Sequence, residues 1–206
     1  DYIGYLDGHD PDILTGWNFD DFDATYLINR MEYLNGLNET KRDVSPDRLS
    51  RINEVWSGGW RGPNVKGRVV FDLLEGYKRT QFTELVSYRL EAVGQMELDV
   101  GKETYDGDIG DLWEEDPTQL IEYNIRDVEI CVELDKQQEI IEFWNEVRQY
   151  VGCRIQDAPI PGDACDMYVL HKNHGRYVLP SKGEVESGEE FEGGAVFEPY
   201  TGIEDM

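Results

Sequence analysis

The sequence predicts an α/β protein in which a mixed β-sheet is flanked by helices. Two short apolar runs, residues 13–17 and 67–74, indicate buried strands. Apolar residues also recur at helical spacing in residues 24–37 and again from Leu120 onward. This periodicity is lost after Val151, where Pro and Gly interrupt the chain. We therefore expect one domain in residues 1–150 and an irregular α+β connection in residues 151–206.

The elements follow in order along the chain. Residues 2–6 have helical spacing, residues 13–17 form a strand that contains a Gly near its end, and residues 24–37 form an amphipathic helix. The polar stretch 38–67 predicts a long excursion that contains a hairpin. Residues 67–74 give the clearest strand, followed by a helical region at 83–94 and an acidic loop at 99–111.

The best-defined helix begins at Asp116. Asp116 stands at the N-cap, Pro117 at the first helical position and Gln119 at the third. Helical spacing then continues to Val147, in one long helix or in two with a break near Asp135. A shorter helical patch is expected at residues 167–172.

The composition is strongly acidic. Asp and Glu total 44 against 19 Lys and Arg, a formal net charge of −25. Proteins that bind a phosphate backbone normally carry positive charge on the binding face, so this balance alone argues against a nucleic-acid partner. However, the acidic residues are spread along the whole chain, which resembles cytosolic proteins of salt-loving archaea. Molar salt shortens the Debye length to about 3 Å, so local motifs must identify the partner.

The cellular context follows from what the sequence lacks. The three cysteines show neither a disulfide framework nor zinc-ligand spacing, which favours a reducing cytoplasm. No run of about 18 apolar residues is present, so no membrane span is expected. The first residues do not have the pattern of a signal peptide, and we expect that upstream chain is missing.

A first cluster of functional candidates follows the strand at residues 13–17. The segment Trp17-Asn18-Phe19-Asp20-Asp21-Phe22-Asp23 carries three carboxylates at a strand-to-helix junction. The end of a buried strand can hold polar side chains over a cleft. Repulsion among the three carboxylates favours a cation there, whereas turn and N-cap roles for the following helix are an equally good interpretation.

A second cluster lies on the helix that Asp116 begins. Tyr123 and Asp127 are four residues apart and therefore lie on the same helix face. Asp127 lies on or near the apolar stripe, where a carboxylate needs a partner or a metal ion. A surface Asp beside Arg126 is the alternative, and for this cluster taken alone it is the better one.

Together these clusters resemble two motifs of the 3′→5′ proofreading exonuclease in family B DNA polymerases. Asn18, Asp20, Phe22 and Asp23 match the family's Y-N-x-D-N-F-D motif, in which Trp17 replaces Tyr and Asp21 replaces Asn. Tyr123 and Asp127 match Y-x-x-x-D. Residues 65–73, 87–93 and 191–199 resemble further family segments in the same order, the last of them a link to the polymerase module. The chain is thus identified as a polymerase fragment from a halophilic archaeon or one of its viruses.

The resemblance implies an RNase H-like (DnaQ-like) exonuclease domain and a connection that leads to the polymerase palm. It implies Asp23 and Asp127 as ligands of Mg²⁺ or Mn²⁺, with two ions in the complete site. Tyr123 would orient the attacking water, and Asn18 and Phe22 would hold the single-stranded 3′ end of the primer. DNA and a sliding clamp are the implied partners. The alternatives are a separate exonuclease of the same fold and an inactive acidic binding module.

Two departures limit what this chain is expected to do alone. The family's D-x-E motif, which supplies two further carboxylates, has no usable match before Asp10, and the polymerase motifs have no match before Met206. We therefore expect the isolated chain to have neither activity. The stretch 41–68, which includes Trp56 and Trp60, is the best candidate for DNA contact, although a packed hairpin explains the two tryptophans better.

Overall fold

The computed structural model describes residues 2–37, 43–56, 62–100 and 109–180. The α-helices are α1 (Tyr2–His9), α2 (Thr25–Gly36), α3 (Leu73–Thr80), α4 (Leu90–Leu98), α5 (Ile109–Glu115), α6 (Pro117–Gln138), α7 (Ile140–Val151) and α8 (Pro161–Asn173). The strands are β1 (Ile13–Gly16), β2 (Val55–Trp56), β3 (Asn64–Val65) and β4 (Val69–Asp72). A π-helix spans Phe19–Ala24, and 3₁₀ turns span Pro46–Leu49 and Ile155–Asp157.

The strands pair in two small sheets. β1 and β4 are parallel, with Ile13 opposite Val69 and Gly16 opposite Asp72. β2 and β3 form the expected hairpin, with Val55 opposite Val65. The described residues are therefore α/β but mostly helical, with two two-stranded ladders where one mixed sheet was expected. The RNase H-like topology stays a prediction.

The β1–β4 ladder lies between two hydrophobic cores. One core contains Phe71 of β4 together with apolar residues of α3, α4, α6 and α7. The other contains Leu14 and Val70 from the same ladder together with residues of α1 and α2. Because side chains alternate across a strand, Val70 and Phe71 enter opposite cores. The expectation that helices flank the sheet is confirmed for this ladder.

Several element bounds differ from the prediction. The strand expected to reach Leu74 ends at Asp72, because the Asp72 side chain accepts a hydrogen bond from Leu74 N and caps α3. The helix expected at 83–94 lies at Leu90–Leu98, and α5 begins inside the expected acidic loop. α8 begins at Pro161, earlier than the helical patch predicted at 167–172.

The long helix behaves as its first residues predict. The Asp116 side chain accepts hydrogen bonds from Thr118 N and Gln119 N at 3.1 Å each, which confirms the predicted cap. The break between α6 and α7 falls at Glu139, whose φ of 51° is left-handed. Asp135 Oδ1 accepts from Ile141 N at 2.9 Å, so it satisfies a backbone donor in the first turn of α7.

Two units divide the chain. The first, Asp1–Lys172, contains all the elements named above except the last residue of α8. Cys153, Ile155 and Ala158 belong to its core, so this compact unit continues past residue 150. The functional division at 150/151 stays a prediction. In the second unit, Arg176 N and Tyr177 N donate to Asn173 O in a turn, and the segment expected at 191–199 lies outside the described residues.

Candidate active site

The first motif leaves β1 at the edge where both parallel strands end. Gly16 lies opposite Asp72, and the chain then turns through Asn18, which is left-handed with φ 60° and ψ 36°. The π-helix that follows carries Asp20, Asp21, Phe22 and Asp23. π-helical turns are rare in proteins, and those that do occur are often found at functional sites.

Asp72 joins this turn to β4. The residue is only 8% exposed. Its Oδ1 accepts from Asn18 N at 3.1 Å and from Leu74 N at 2.8 Å, and its Oδ2 accepts from Asp20 N at 3.4 Å. Burial raises the pKa of the Asp72 carboxyl, and these backbone hydrogen bonds oppose the rise. One buried carboxylate therefore connects the first motif with the start of α3.

Asp20 lies beside Asp72 and is the most perturbed carboxyl of the motif. Burial, followed by the negative charges of Asp72, Asp21 and Glu75, raises the pKa of Asp20 to about 7. Its Oδ1 is buried and accepts no hydrogen bond from the described residues. A carboxyl in such a place keeps its proton more readily than an exposed one.

Asp23 and Phe22 lie at the surface of the π-helix. Phe22 is 67% exposed, which leaves its ring available to a ligand. Asp23 is exposed as a residue, yet partial burial of its carboxyl raises its pKa.

The second motif lies on α6. Tyr123 and Asp127 are half-buried on the same face of the helix, and Asp127 Oδ1 is buried. Cys131 follows one turn later. Burial raises the pKa of the Cys131 thiol to about 11, and the backbone N–H of Trp17 donates to it.

The Cys131 thiol lies within electrostatic reach of both motifs. Negative charges from Asp127, Asp23 and Asp72 all act on its thiol. Coulomb interactions fall with distance and are screened by solvent, so all three carboxylates lie in the neighbourhood of this thiol. A pairing of Asp23 with Asp127 stays a prediction.

Metal-ligand chemistry fits this pair only in part. Carboxylate oxygens suit Mg²⁺ and Mn²⁺, so the type of donor is correct. Nowhere in the described residues do three or more His, Cys, Asp or Glu form a group that could hold a metal ion. The role of Asp23 and Asp127 as metal ligands therefore stays a prediction.

A cavity of about 610 Å³ opens beside the first motif. Asn18, Asp20, Asp72 and Trp56 contribute to its wall, as do the cationic side chains of Lys78, Arg79 and Arg154. The cations are paired: Lys78 lies 3.1 Å from Glu75, and Arg154 contacts Asp157 at 2.7 Å.

The predicted DNA-contact stretch divides into two parts. Arg51 contacts Asp10 and Asp12 at 2.8 Å each, and Arg68, whose side chain is 5% exposed, contacts Asp10 at 2.9 Å. These two arginines hold the 10–12 loop, so they are structural. Trp56 is 62% exposed, with Lys66 Nζ 5.7 Å from its ring centre, whereas Trp60 lies outside the described residues.

The sequence prediction missed Asp72 and did not separate Asp20 from its neighbours. Asp72 was noted only as part of a resembling strand. A signal was present, because an Asp directly between a buried strand and a helix is a favoured N-cap. Asp20 carried no distinguishing signal, since its burial depends on β4, far along the chain.

Comparisons with known proteins find similarity to DNA polymerases. Residues 1–93 match the family described as DNA polymerase family B, exonuclease domain. The chain is 30% identical over 201 residues to a DNA-directed DNA polymerase of Escherichia phage RB69 and 32% identical to that of Enterobacteria phage T4. Each alignment covers 97% of this chain and 22% of the phage protein.

An archaeal relative gives the same result. DNA polymerase 1 of Pyrococcus abyssi is 30% identical over 205 residues, which cover 94% of this chain and 25% of that protein. The chain thus spans about a fifth to a quarter of the length of these relatives. None of the described helices is long and apolar enough to cross a membrane. The chain is similar to the exonuclease domain of family B DNA polymerases over residues 1–93, and to phage and archaeal DNA polymerases over nearly its whole length.

Proposed function

We propose that this chain is the exonuclease part of a longer family B DNA-directed DNA polymerase and that it acts in 3′→5′ proofreading. The observation that carries the proposal is that Asp23 and Asp127, which come from motifs far apart in the sequence, both lie in the neighbourhood of the Cys131 thiol. The similarity to polymerases over nearly the whole chain supports the same function.

The resemblance of the two motifs supports a role for each side chain. Asp23 and Asp127 would hold Mg²⁺ or Mn²⁺ together with carboxylates from outside this sequence. Two such ions, when bound, activate a water and stabilise the leaving 3′ oxygen during in-line hydrolysis. Tyr123, on the face of α6 that carries Asp127, would orient that water through its phenol. Asn18 and the exposed ring of Phe22 would hold the terminal nucleotide, because a base can stack on an aromatic face.

Two alternatives make different predictions for the complete protein. A separate exonuclease of the same fold would excise nucleotides without polymerising them. An inactive acidic binding module would neither excise nor polymerise nucleotides, and a role as an acidic module would account for the net charge of −25. The relatives are polymerases of four to five times this length, which favours the polymerase.

The wider setting belongs to the same proposal. A replicative polymerase would work in the cytoplasm on primer ends and with a sliding clamp. The evenly spread acidic residues favour a halophilic source. The relatives described above come from phages and from Pyrococcus, so the halophilic source rests on composition alone.

The proposal is tested in the complete polymerase with an end-labelled single strand and Mg²⁺ or Mn²⁺. Asp127→Asn should reduce excision at least about 100-fold, because a metal ligand supplies several kcal/mol of transition-state stabilisation. Asp166→Asn, an exposed carboxyl on α8, should leave excision unchanged. Equal loss in both variants, or none in Asp127→Asn, would exclude Asp127 as a ligand.

The chain by itself should show no excision, since it supplies two carboxylates of the four that the family uses. Its assay needs Mn²⁺ and a sensitive label. Turnover by the isolated chain that disappears in Asp127→Ala would contradict this expectation.

A further inference from the structure

Asp72 has the surroundings of a residue that holds other residues in place. Asp72 is only 8% exposed. Burying a carboxylate is energetically costly unless hydrogen bonds satisfy its oxygens. All of its donors are backbone N–H groups: Asn18, Asp20, Leu74 and Glu75. Two of them belong to α3, and the other two belong to the turn that carries the first motif.

That turn has a conformation that needs support. Asn18 is left-handed, a conformation that costs most L-residues roughly 1–2 kcal/mol and that Asn adopts more readily than most. It leads into a π-helix, which is a rare form of the backbone. Strained local structure persists only where the surroundings fix it. The two oxygens of Asp72 accept from Asn18 N and Asp20 N, at the start of the strained segment.

The same turn presents the side chains of the proposed site. Asp23 lies three residues after Asp20, and the π-helical backbone fixes its direction relative to Asn18. Asp72 itself comes from β4, which pairs with β1 and packs against the core that contains Ile130 and Leu134 of α6. Asp72 therefore ties the first motif to the same core that anchors the helix of the second motif.

We propose that Asp72 is a positioning residue, whose buried carboxylate holds the Asn18–Asp23 turn and so fixes the position of Asp23. This inference rests on the proposed function for the importance of Asp23, but the turn itself is measurable without any activity. A residue that merely caps α3 would affect Leu74 and Glu75 and leave the turn alone.

The test uses this chain with the variant Asp72→Asn, which keeps the size of the side chain and removes its charge. One oxygen of Asp72 is replaced by an NH₂ group, which cannot accept from a backbone N–H. Amide exchange measured by NMR should become at least tenfold faster at Asn18 and Asp20 than in the unaltered chain. Asp116→Asn makes the same chemical change in the cap of α6 and should leave both amides unchanged.

A second readout follows Mn²⁺ alone, added in 0.5 M NaCl to suppress diffuse binding. Paramagnetic broadening should reach the amides of both Asp23 and Asp127 in the unaltered chain. In Asp72→Asn the broadening at Asp23 should fall several-fold, while that at Asp127 persists. Unchanged exchange at Asn18 and Asp20, or unchanged broadening at Asp23, overturns the proposal.

The outcomes separate the two proposals. If Mn²⁺ broadens neither aspartate in the unaltered chain, the metal assignment of the proposed function fails, and the exchange data alone decide the role of Asp72. If Asp72→Asn does not fold, amide exchange in the unaltered chain decides the role of Asp72. Slow amide exchange at Asn18 and Asp20 then supports the positioning role of Asp72, and amide exchange as fast as in an open turn excludes that role.

Discussion

Asp20 carries a titration that the fold itself creates. Its pKa of about 7 lies above the ordinary value of 3.8, mainly because the carboxyl is buried and secondarily because Asp72 is negative. Between about pH 4 and 7, the folded state therefore keeps a proton on Asp20 that the unfolded state has already released. Stability from this group is fully present below pH 4, decreases as the pH rises, and is lost above about pH 7.

Asp20→Asn should remove that pH dependence. The gain in the free energy of unfolding over the unaltered chain should be larger at pH 8 than at pH 4.5, by about 1–3 kcal/mol after allowance for partial exposure. Urea unfolding at the two pH values measures it. Asp166→Asn is the control, because its carboxyl is exposed on α8. A gain that does not depend on pH would mean that Asp20 is ionised in the folded chain throughout.

The site residues show how far local sequence information reaches. The sequence allows five candidates to be selected because they match the two motifs: Asn18, Phe22, Asp23, Tyr123 and Asp127. Their environment is not. The burial of Asp20 and the four donors around Asp72 arise from contacts between segments far apart in the chain.

At the scale of elements, α3 packs so closely that one glycine has no room for a side chain. A Cβ on Gly76 would lie 2.9 Å from Ile140 Cγ2 and 2.9 Å from Phe71 Cζ. Gly76 O also accepts from Trp144 Nε1 at 3.0 Å, so α3 and α7 are in direct contact here.

Gly76→Ala should therefore destabilise the chain. Overpacking costs typically 1–3 kcal/mol, which exceeds the gain of roughly 0.5–1 kcal/mol from replacing Gly by Ala within a helix. Gly8→Ala in α1 is the matched control, since nothing lies within 4 Å of its Cβ, and it should be neutral or stabilising. Thermal unfolding of both variants gives the comparison. A more stable Gly76→Ala chain would show that α3 can move away from α7.

Helix and strand positions were predictable where periodicity and caps agree, as at Asp116 and in residues 13–17. Bounds failed where a long-range contact or a side-chain cap decided them, as at Asp72. The apolar residues of α6 also left its buried face ambiguous. Ile130 and Leu134 enter the core, whereas Val128 is 57% exposed, because packing against α4 and α7 selects the face.

The whole molecule is dominated by its negative charge. A net charge of −25 repels itself in the compact state, where the charges are closer together than in the unfolded chain. The described ion pairs involve mostly exposed side chains, such as Lys78–Glu75 and Arg126–Glu129, and such pairs contribute little.

Salt should consequently stabilise this chain. Raising NaCl from 0.1 M to 1 M shortens the Debye length from about 10 Å to 3 Å and screens the repulsion. The urea midpoint should rise with NaCl, and it should rise less with an uncharged osmolyte at equal osmolality. A midpoint that falls with NaCl would mean that the ion pairs outweigh the repulsion, and it would remove the stability argument for a halophilic source.

The parallel pairing of β1 with β4 determines when the site can exist during folding. Asn18 N and Asp72 Oδ1 are 54 positions apart, and the whole α2 region must be enclosed before they meet. Closing such a loop costs entropy before any contact compensates for it, so pairings of this kind form slowly. During synthesis on the ribosome, the first motif emerges well before Asp72, and Asp127 emerges later still. The chain therefore passes through a stage in which the residues of the first motif have been synthesised but their turn has not yet formed.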